Sequence, residues 1–227
     1  MLDVIVDLNL KDRIVLVIGA GLEGTKRIAN LSKEACQIIV LSDRVSEEFY
    51  EIEGSTYPII LIRRRIKDID FLNTFNNVFL ILAATNDSFL NNAIVEHAKK
   101  RNILSYSIDA SASGDLSFTS TINIKETIQI SISTGGRSPL MSKIIKDKVE
   151  NTIKNIIGQT DIDNIRIQEF ARGEVKKYIK NQQERRKFLY CLVKDQEIQE
   201  LISKKNIDKV KERIIKILDK WEDNKIG

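Results

Sequence analysis

Between residues 13 and 108 the sequence switches repeatedly from short β-branched runs to segments of helical periodicity, and this rhythm constrains the fold more than any other feature. RIVLVI at 13–18 precedes a helical stretch at 22–33, and QIIVL at 37–41 precedes a polar helical stretch. PIILI follows at 58–62, NVFLIL at 77–82 precedes a helix at 87–100, and ILSYSI at 103–108 closes the series. Strands that alternate with helices pair in parallel, because each crossover helix returns the chain to the same end of the sheet. Residues 14–18 and 78–82 are apolar at both parities. Both faces of those strands must therefore be covered, which predicts an α/β fold with a doubly wound parallel sheet.

After Asp109 the period changes. Leu116, Phe118, Ser120 and Ile122 alternate with Ser117, Thr119, Thr121 and Asn123, and Ile128, Ile130 and Ile132 alternate with Gln129, Ser131 and Ser133. Two amphipathic strands over 116–132 are expected. Such a hairpin is marginal in water, so its apolar face must pack on the domain or on a second subunit. From Ser138 the chain reads as helical to its end. Ser138 can cap free N–H groups, and Pro139 suits the first helical position because its missing N–H has no partner to lose there. Further helices are expected at 161–180, 182–193, 195–204 and 206–222. In the last, Val210, Ile214, Ile217, Leu218 and Trp221 form one apolar stripe, read as core. The 227 residues thus divide into an NAD-binding Rossmann-like domain at 1–112, a small β dimerisation region at 113–145, whose hairpin over 116–132 is expected in a homodimer interface, and a helical domain at 146–227.

Composition excludes several classes. With 42% hydrophobic and 30% charged residues, ten glycines and two prolines, the chain is globular rather than low-complexity. Cys36 and Cys191 stand far apart and suggest neither a CxxC metal site nor a disulfide framework, so a reducing, cytoplasmic setting is expected. Aspartates at positions 3 and 7 argue against a signal peptide, and no run of eighteen apolar residues predicts a membrane span. Residues 1–141 carry 15 basic and 17 acidic side chains and 142–227 carry 21 and 15, giving −2 and +6. The excess in the second part can attract an anionic ligand but reads more simply as solvated lysine-rich helix faces; nucleic-acid and membrane partners are not expected.

The chemistry-bearing motifs lie at strand ends, where ligands of open α/β sheets bind. Gly19-Ala20-Gly21-Leu22-Glu23-Gly24 follows a strand and opens a helix, as in a Rossmann-like nucleotide turn, where glycines let a pyrophosphate approach the helix N-terminus. Asp43, placed just beyond the second strand, can accept the ribose hydroxyls of NAD, although Arg44 beside it leaves the phosphorylated cofactor open and an exposed loop aspartate is the plainer alternative. The cofactor contacts expected are Gly19, Gly21, Leu22, Gly24, Asp43, Ala84 and Thr85. Asn86 or Asp87 can cap the following helix. Asp109, at the rim of the fifth strand, is the catalytic candidate, with a turn-capping role as its alternative. Ser133-Thr134-Gly135-Gly136-Arg137-Ser138-Pro139 combines flexible backbone, hydroxyls and a guanidinium, so Arg137, Ser138 and the nearby Lys143 are candidates for holding substrate carboxylates. Tyr190 and Lys194 spell a YxxxK pattern in the helical tail, read as coincidence. His97 reads as a packing or surface residue, and no metal cage is expected without a His or Cys pair.

Taken together, GAGLEGTKR at 19–27, LAATND at 82–87, Asp109 after a short strand and ISTGGRSPLMSKIIKDKVE at 132–150 resemble the siroheme synthase N-terminal, or precorrin-2 dehydrogenase, family. The resemblance runs from about Leu8 to Glu150 and continues faintly at 184–188. It implies NAD-dependent oxidation of precorrin-2 to sirohydrochlorin, in some members with ferrous-ion insertion, by a homodimer with three zones like those above. The family's essential aspartate falls on Asp109 and the serine of its GG-x-SP turn on Ser138. The chain departs from the family at Tyr106, where Asn is frequent, at Ala110-Ser111, where Asp-Pro is frequent, and at Ser120 and Thr121 within a Phe-x-Phe-Pro strand matched only at Phe118. A non-enzymatic nucleotide-sensing module is the rival reading, and it would need neither Asp109 nor the STGGRSP block.

Overall fold

The computed structural model describes residues 4–52, 58–109 and 114–223. Its first compact unit comprises residues 1–119 with 133–139, and its second residues 120–132 with 140–227. In the first, β1 (Ile14–Ala20), β2 (Gln37–Val45), β3 (Ile59–Arg63), β4 (Val78–Ala83) and β5 (Leu104–Ser107) form one parallel sheet in the order β3-β2-β1-β4-β5. Helix α1 (Leu22–Leu31) connects β1 to β2, the short α2 (Phe49–Ile52) lies between β2 and β3, and α3 (Ser88–Lys100) connects β4 to β5.

The double apolar parity of β1 is used on both faces. Val15 and Val17 join Ile28 and Leu31 of α1 in one core, while Leu16 and Ile18 join Leu90, Ile94 and Ala98 of α3 in another. All four β1 side chains are fully buried. Crossovers that keep one hand put their helices on opposite faces when they wind in opposite directions, so β1 is the strand from which the sheet grows both ways. Cys36 is buried at the edge of the first core, and burial pushes its thiol up, away from thiolate chemistry. Cys191 is exposed, and both cysteines are free.

The segment after β5 differs from the expected hairpin. The antiparallel ladder comprises only β6 (Ser120–Ile124) and β7 (Ile128–Ile132), with Ile122 opposite Ile130. Lys125 and Glu126 take positive φ in the three-residue turn between them, where Glu126 N–H is held by Asn123 Oδ1 at 2.9 Å. Leu116 and Phe118 instead pack on the first unit: Phe118 meets Tyr106 edge to face with centroids 4.9 Å apart, and the Arg27 guanidinium lies 4.5 Å above the Phe118 ring. These contacts hold residues 116–119, expected as the start of the strand, outside the ladder. Tyr106, a departure from the family pattern, is thereby a core residue beneath Phe118. Ala110 and Ser111, the other departure beside Asp109, lie outside the described residues.

In the second unit, α5 (Gln159–Tyr178), α6 (Gln182–Lys194), α7 (Gln196–Ser203) and α8 (Ile207–Asp223) surround a core of Ile167, Val175, Phe188, Leu192, Ile198 and the α8 stripe Val210, Ile214 and Leu218. Asn181 caps α6 through Gln183 N–H at 2.8 Å, and Asp195 caps α7 through Ile198 N–H at 2.9 Å. Helix α4 (Pro139–Ile156) is different, since Ser142 is its one buried residue among those described. No helix among the described residues is long and apolar enough to cross a membrane.

Candidate functional site

At β1 the strand order reverses, and the carboxyl ends of β1 and β4 are therefore where an open α/β sheet binds its ligand. Two glycines pack the turns at these ends together. Gly19 has φ +95°, where a side chain is strained, and a Cβ there would collide with the Ala84 backbone. A Cβ on Gly24 would in turn collide with the Gly19 carbonyl, so α1 is drawn hard against the end of β1. Ala84 N–H donates to Ile18 carbonyl at 2.8 Å. The turns after β1 and β4 thus meet backbone to backbone.

Gly21 is different from both. It stands at the N-terminus of α1 in extended backbone with no side-chain cap, and a Cβ built on it meets nothing within 4 Å. The first-turn N–H groups of α1 therefore face space that a side chain would occupy, with the positive end of the helix dipole behind them. A dinucleotide pyrophosphate fits this arrangement, with Leu22, 53% exposed, at its edge. The turn is pinned from below: Thr25 Oγ1 donates to Ala20 carbonyl at 3.0 Å, and Ser42 Oγ accepts from Ala20 N–H at 3.1 Å.

Asp43 lies inside β2 rather than beyond it, because the strand runs on to Val45. It is exposed, as is Arg44. On the neighbouring strand Arg63 pairs in register with Ser42, and its guanidinium donates to Tyr50 Oη at 2.9 Å.

On the β4 side, Asp87 caps α3 by accepting from Leu90 N–H at 3.0 Å, as one of the two residues expected for that role. Thr85 is held by a residue that the sequence reading missed. Asn91, fully buried on α3, accepts from Thr85 N–H at 3.1 Å and from Thr85 Oγ1 at 2.7 Å. Its Nδ2 donates to Thr85 carbonyl at 3.0 Å and to Asp109 Oδ2 at 2.5 Å. The signal was present as a polar side chain on the same α3 stripe as the buried Leu90, Ile94 and Ala98. Asp109 is exposed just after β5 and is tied through Asn91 to the turn that follows β4. Ser107 Oγ, two residues earlier, is buried without a hydrogen-bond partner among the described residues. Asp115, the other carboxylate close after β5, is committed to Ser105, accepting from its N–H at 3.0 Å and its Oγ at 2.7 Å.

The STGGRSP block forms a latched turn. Gly135 and Gly136 have φ of +61° and +72°, and Thr134 Oγ1 accepts from Ser138 N–H at 3.0 Å. Arg137 is exposed on this turn, which belongs to the first unit. Lys143 is exposed on the first turns of α4 and belongs to the second unit. Tyr190 and Lys194 lie exposed along α6, with the Arg186 guanidinium 5.7 Å from the Tyr190 ring. His97 sits partly buried on α3. Burial first, and then Arg101 and Lys100, lower its pKa and favour the neutral ring.

Comparison with known proteins adds family information. Residues 6–120 match the model of an NAD(P)-binding family, and residues 126–152 match that of the central region of sirohaem biosynthesis proteins. A precorrin-2 dehydrogenase of Priestia megaterium is 32% identical over 144 residues, which cover 63% of this chain and 68% of that protein. Siroheme synthase 1 of Yersinia enterocolitica is 30% identical over 183 residues, 79% of this chain and 36% of that protein. The chain therefore spans about a third of the siroheme synthases it matches. Among solved structures, SirC, a precorrin-2 dehydrogenase, superposes with a TM-score of 0.65 at 22% identity, covering 96% of this chain and all of the other, and so has the same fold.

Proposed function

The chain belongs to the precorrin-2 dehydrogenase family, and from that premise we propose that it catalyses NAD-dependent oxidation of precorrin-2 to sirohydrochlorin, with the cytoplasm as its compartment. The observation that carries this reading is the arrangement at the carboxyl ends of β1 and β4, with an uncapped helix start beside Gly21 on one side and, across the Asn91 bridge, a carboxylate on the other.

The residues divide the work. Gly19, Gly21, Leu22 and Gly24 seat the pyrophosphate, Asp43 holds the adenosine ribose, and Ala84 and Thr85 line the nicotinamide end. NAD, when bound, supplies the hydride acceptor. The oxidation removes a hydride and a proton from the substrate, so a group must receive the proton; Asp109, exposed at the rim, takes it or orients the carbon that loses it. Precorrin-2 carries many carboxylates, and on the latched turn at 133–139 Arg137 supplies a cation and Ser138 a hydroxyl for them; Lys143, in the second unit, is a further cationic candidate.

The direct test is anaerobic incubation of the purified chain with precorrin-2 and NAD, following sirohydrochlorin formation by its absorbance. Conversion dependent on NAD supports the assignment, and absence of conversion with a chain that binds NAD removes it. A second arm with ferrous or cobaltous ion reads whether metal insertion, for which Asp109 is the shared candidate, also takes place.

We also assign the chain a homodimeric state. Helix α4 supports it: Leu140 is 67%, Met141 44% and Ile156 73% exposed, apolar side chains left uncovered near both of its ends. Sedimentation at micromolar concentration is expected to give twice the 25.9 kDa chain mass, and a 25.9 kDa species would remove the claim. Charged replacements at Leu140 or Ile130 are expected to dissociate or aggregate the dimer. Phe118→Asp should instead disturb the first unit, where that ring is packed on Tyr106.

A further inference from the structure

We propose that Asn91 is the positioning residue of this site: its amide, locked in one orientation by Thr85, donates to Asp109 and holds that carboxylate as a hydrogen-bond acceptor just after β5. This goes one step beyond the proposed dehydrogenation and rests on it.

The orientation of the amide follows from its partners. Thr85 N–H can only donate and Thr85 carbonyl can only accept, and they lie 3.1 Å from Asn91 Oδ1 and 3.0 Å from Nδ2 respectively. Turning the amide over would set donor against donor and acceptor against acceptor. The hydrogen of Nδ2 not used by Thr85 therefore points at Asp109 Oδ2, 2.5 Å away. With Thr85 Oγ1 as the second donor to Oδ1, both donors and both acceptor positions of the Asn91 amide are used, as a fully buried amide requires.

A fixed donor discriminates between the forms of its partner. It stabilises the ionised carboxylate, which only accepts, and offers less to the neutral acid. Among the described residues, the carboxylates of Asp87 and Asp115 are held by other partners, Leu90 N–H and Ser105, and neither has a hydrogen bond to Asn91. Because the same amide also grips the turn that lines the nicotinamide end, the distance between that turn and Asp109 is set by one rigid side chain. Asn91 acts through Asp109 and through Thr85 and need not touch substrate.

The test reads Asp109 directly, so that it does not depend on turnover. The full chain is labelled with ¹³C at aspartate carboxyls, the Asp109 signal is identified by its loss in Asp109→Asn, and its chemical shift at one fixed pH is compared by NMR in the parent and in Asn91→Ser. Loss of the donor is expected to displace that signal. Where Asn91→Ser does not fold, Asn91→Leu, of similar volume and without a donor, is read in the same way. In parallel, kcat for precorrin-2 oxidation is expected to fall about 10–100-fold while KM changes little. An Asp109 signal unchanged in a folded variant overturns the proposal, even where NAD affinity falls, because Asn91 would then serve only the turn. A parent that fails to oxidise precorrin-2 while its Asp109 signal still responds to the loss of the Asn91 donor would overturn the dehydrogenase assignment and leave the positioning role supported.

Discussion

Asp109→Ala should abolish precorrin-2 oxidation while leaving NAD affinity near the parental value. The carboxylate stands at the end of β5, whereas the pyrophosphate turn follows β1, so its removal leaves Gly19 to Gly24 untouched. A positioned acid or base contributes roughly 10²–10⁴-fold to a rate, a loss visible in a simple absorbance assay. The competing explanation is architectural, since Asp109 accepts the Asn91 amide and its removal strands a donor on a buried residue. Asp109→Asn separates the two. Its Oδ1 can still accept from Asn91, so the architecture survives while the charge and the proton acceptor are gone. If Asp109→Asn is as slow as Asp109→Ala, Asp109 works by its carboxylate; if it retains most of the parental rate, the residue is structural and the catalytic group lies elsewhere. Ser138 would then be the next candidate rather than Asp115, whose carboxylate is already spent on Ser105.

The sheet was legible because its constraint is local and repeated. Residues 14–18 and 78–82 are apolar at both parities, and each parity finds its own core. The polar end of β2 was not legible. Asp43 and Arg44 read as loop, yet β2 runs on to Val45: its pairing with β1 shifts register after Leu41 and resumes with Ala20 aligned on Val45 and Ser46 N–H donating to Ala20 carbonyl at 2.9 Å. Backbone pairing needs no apolar side chains, so hydrophobic patterning stops short of it. The hairpin failed in the opposite sense: Phe118 kept the period of a strand but found an aromatic and a cation on the first unit, contacts 12 and 91 positions away along the chain that no window of sequence displays. Asn91 illustrates the same limit for the site. Periodicity marks position 91 as buried, but its partners are 6 and 18 residues distant, so nothing local says that the buried amide joins the turn at Thr85 to Asp109.

Gly21→Val should give a folded protein that binds NAD at least about tenfold more weakly, a loss of about 1.4 kcal/mol or more. The three glycines of the turn make different predictions because their missing side chains would meet different things. Valine at Gly19 would adopt a strained positive φ and drive into the Ala84 backbone, and valine at Gly24 would drive into the Gly19 carbonyl, so either should lower the amount of folded protein before affinity can be read. At Gly21 the backbone is extended with φ −65°, which valine accepts, and no atom lies within 4 Å of its Cβ. The folded chain therefore has room for the side chain. That room is where a pyrophosphate must come close to the first-turn N–H groups of α1, and branched methyls there hold it off. Far-UV circular dichroism and a thermal melt should place Gly21→Val with the parent, while NAD titration by fluorescence should not. Asp43→Ala, which removes a single ribose partner and blocks nothing, should cost less. Parental NAD affinity in a folded Gly21→Val protein would show that the cofactor does not lie along the start of α1, and the reading of the ends of β1 and β4 as its site would fail with it.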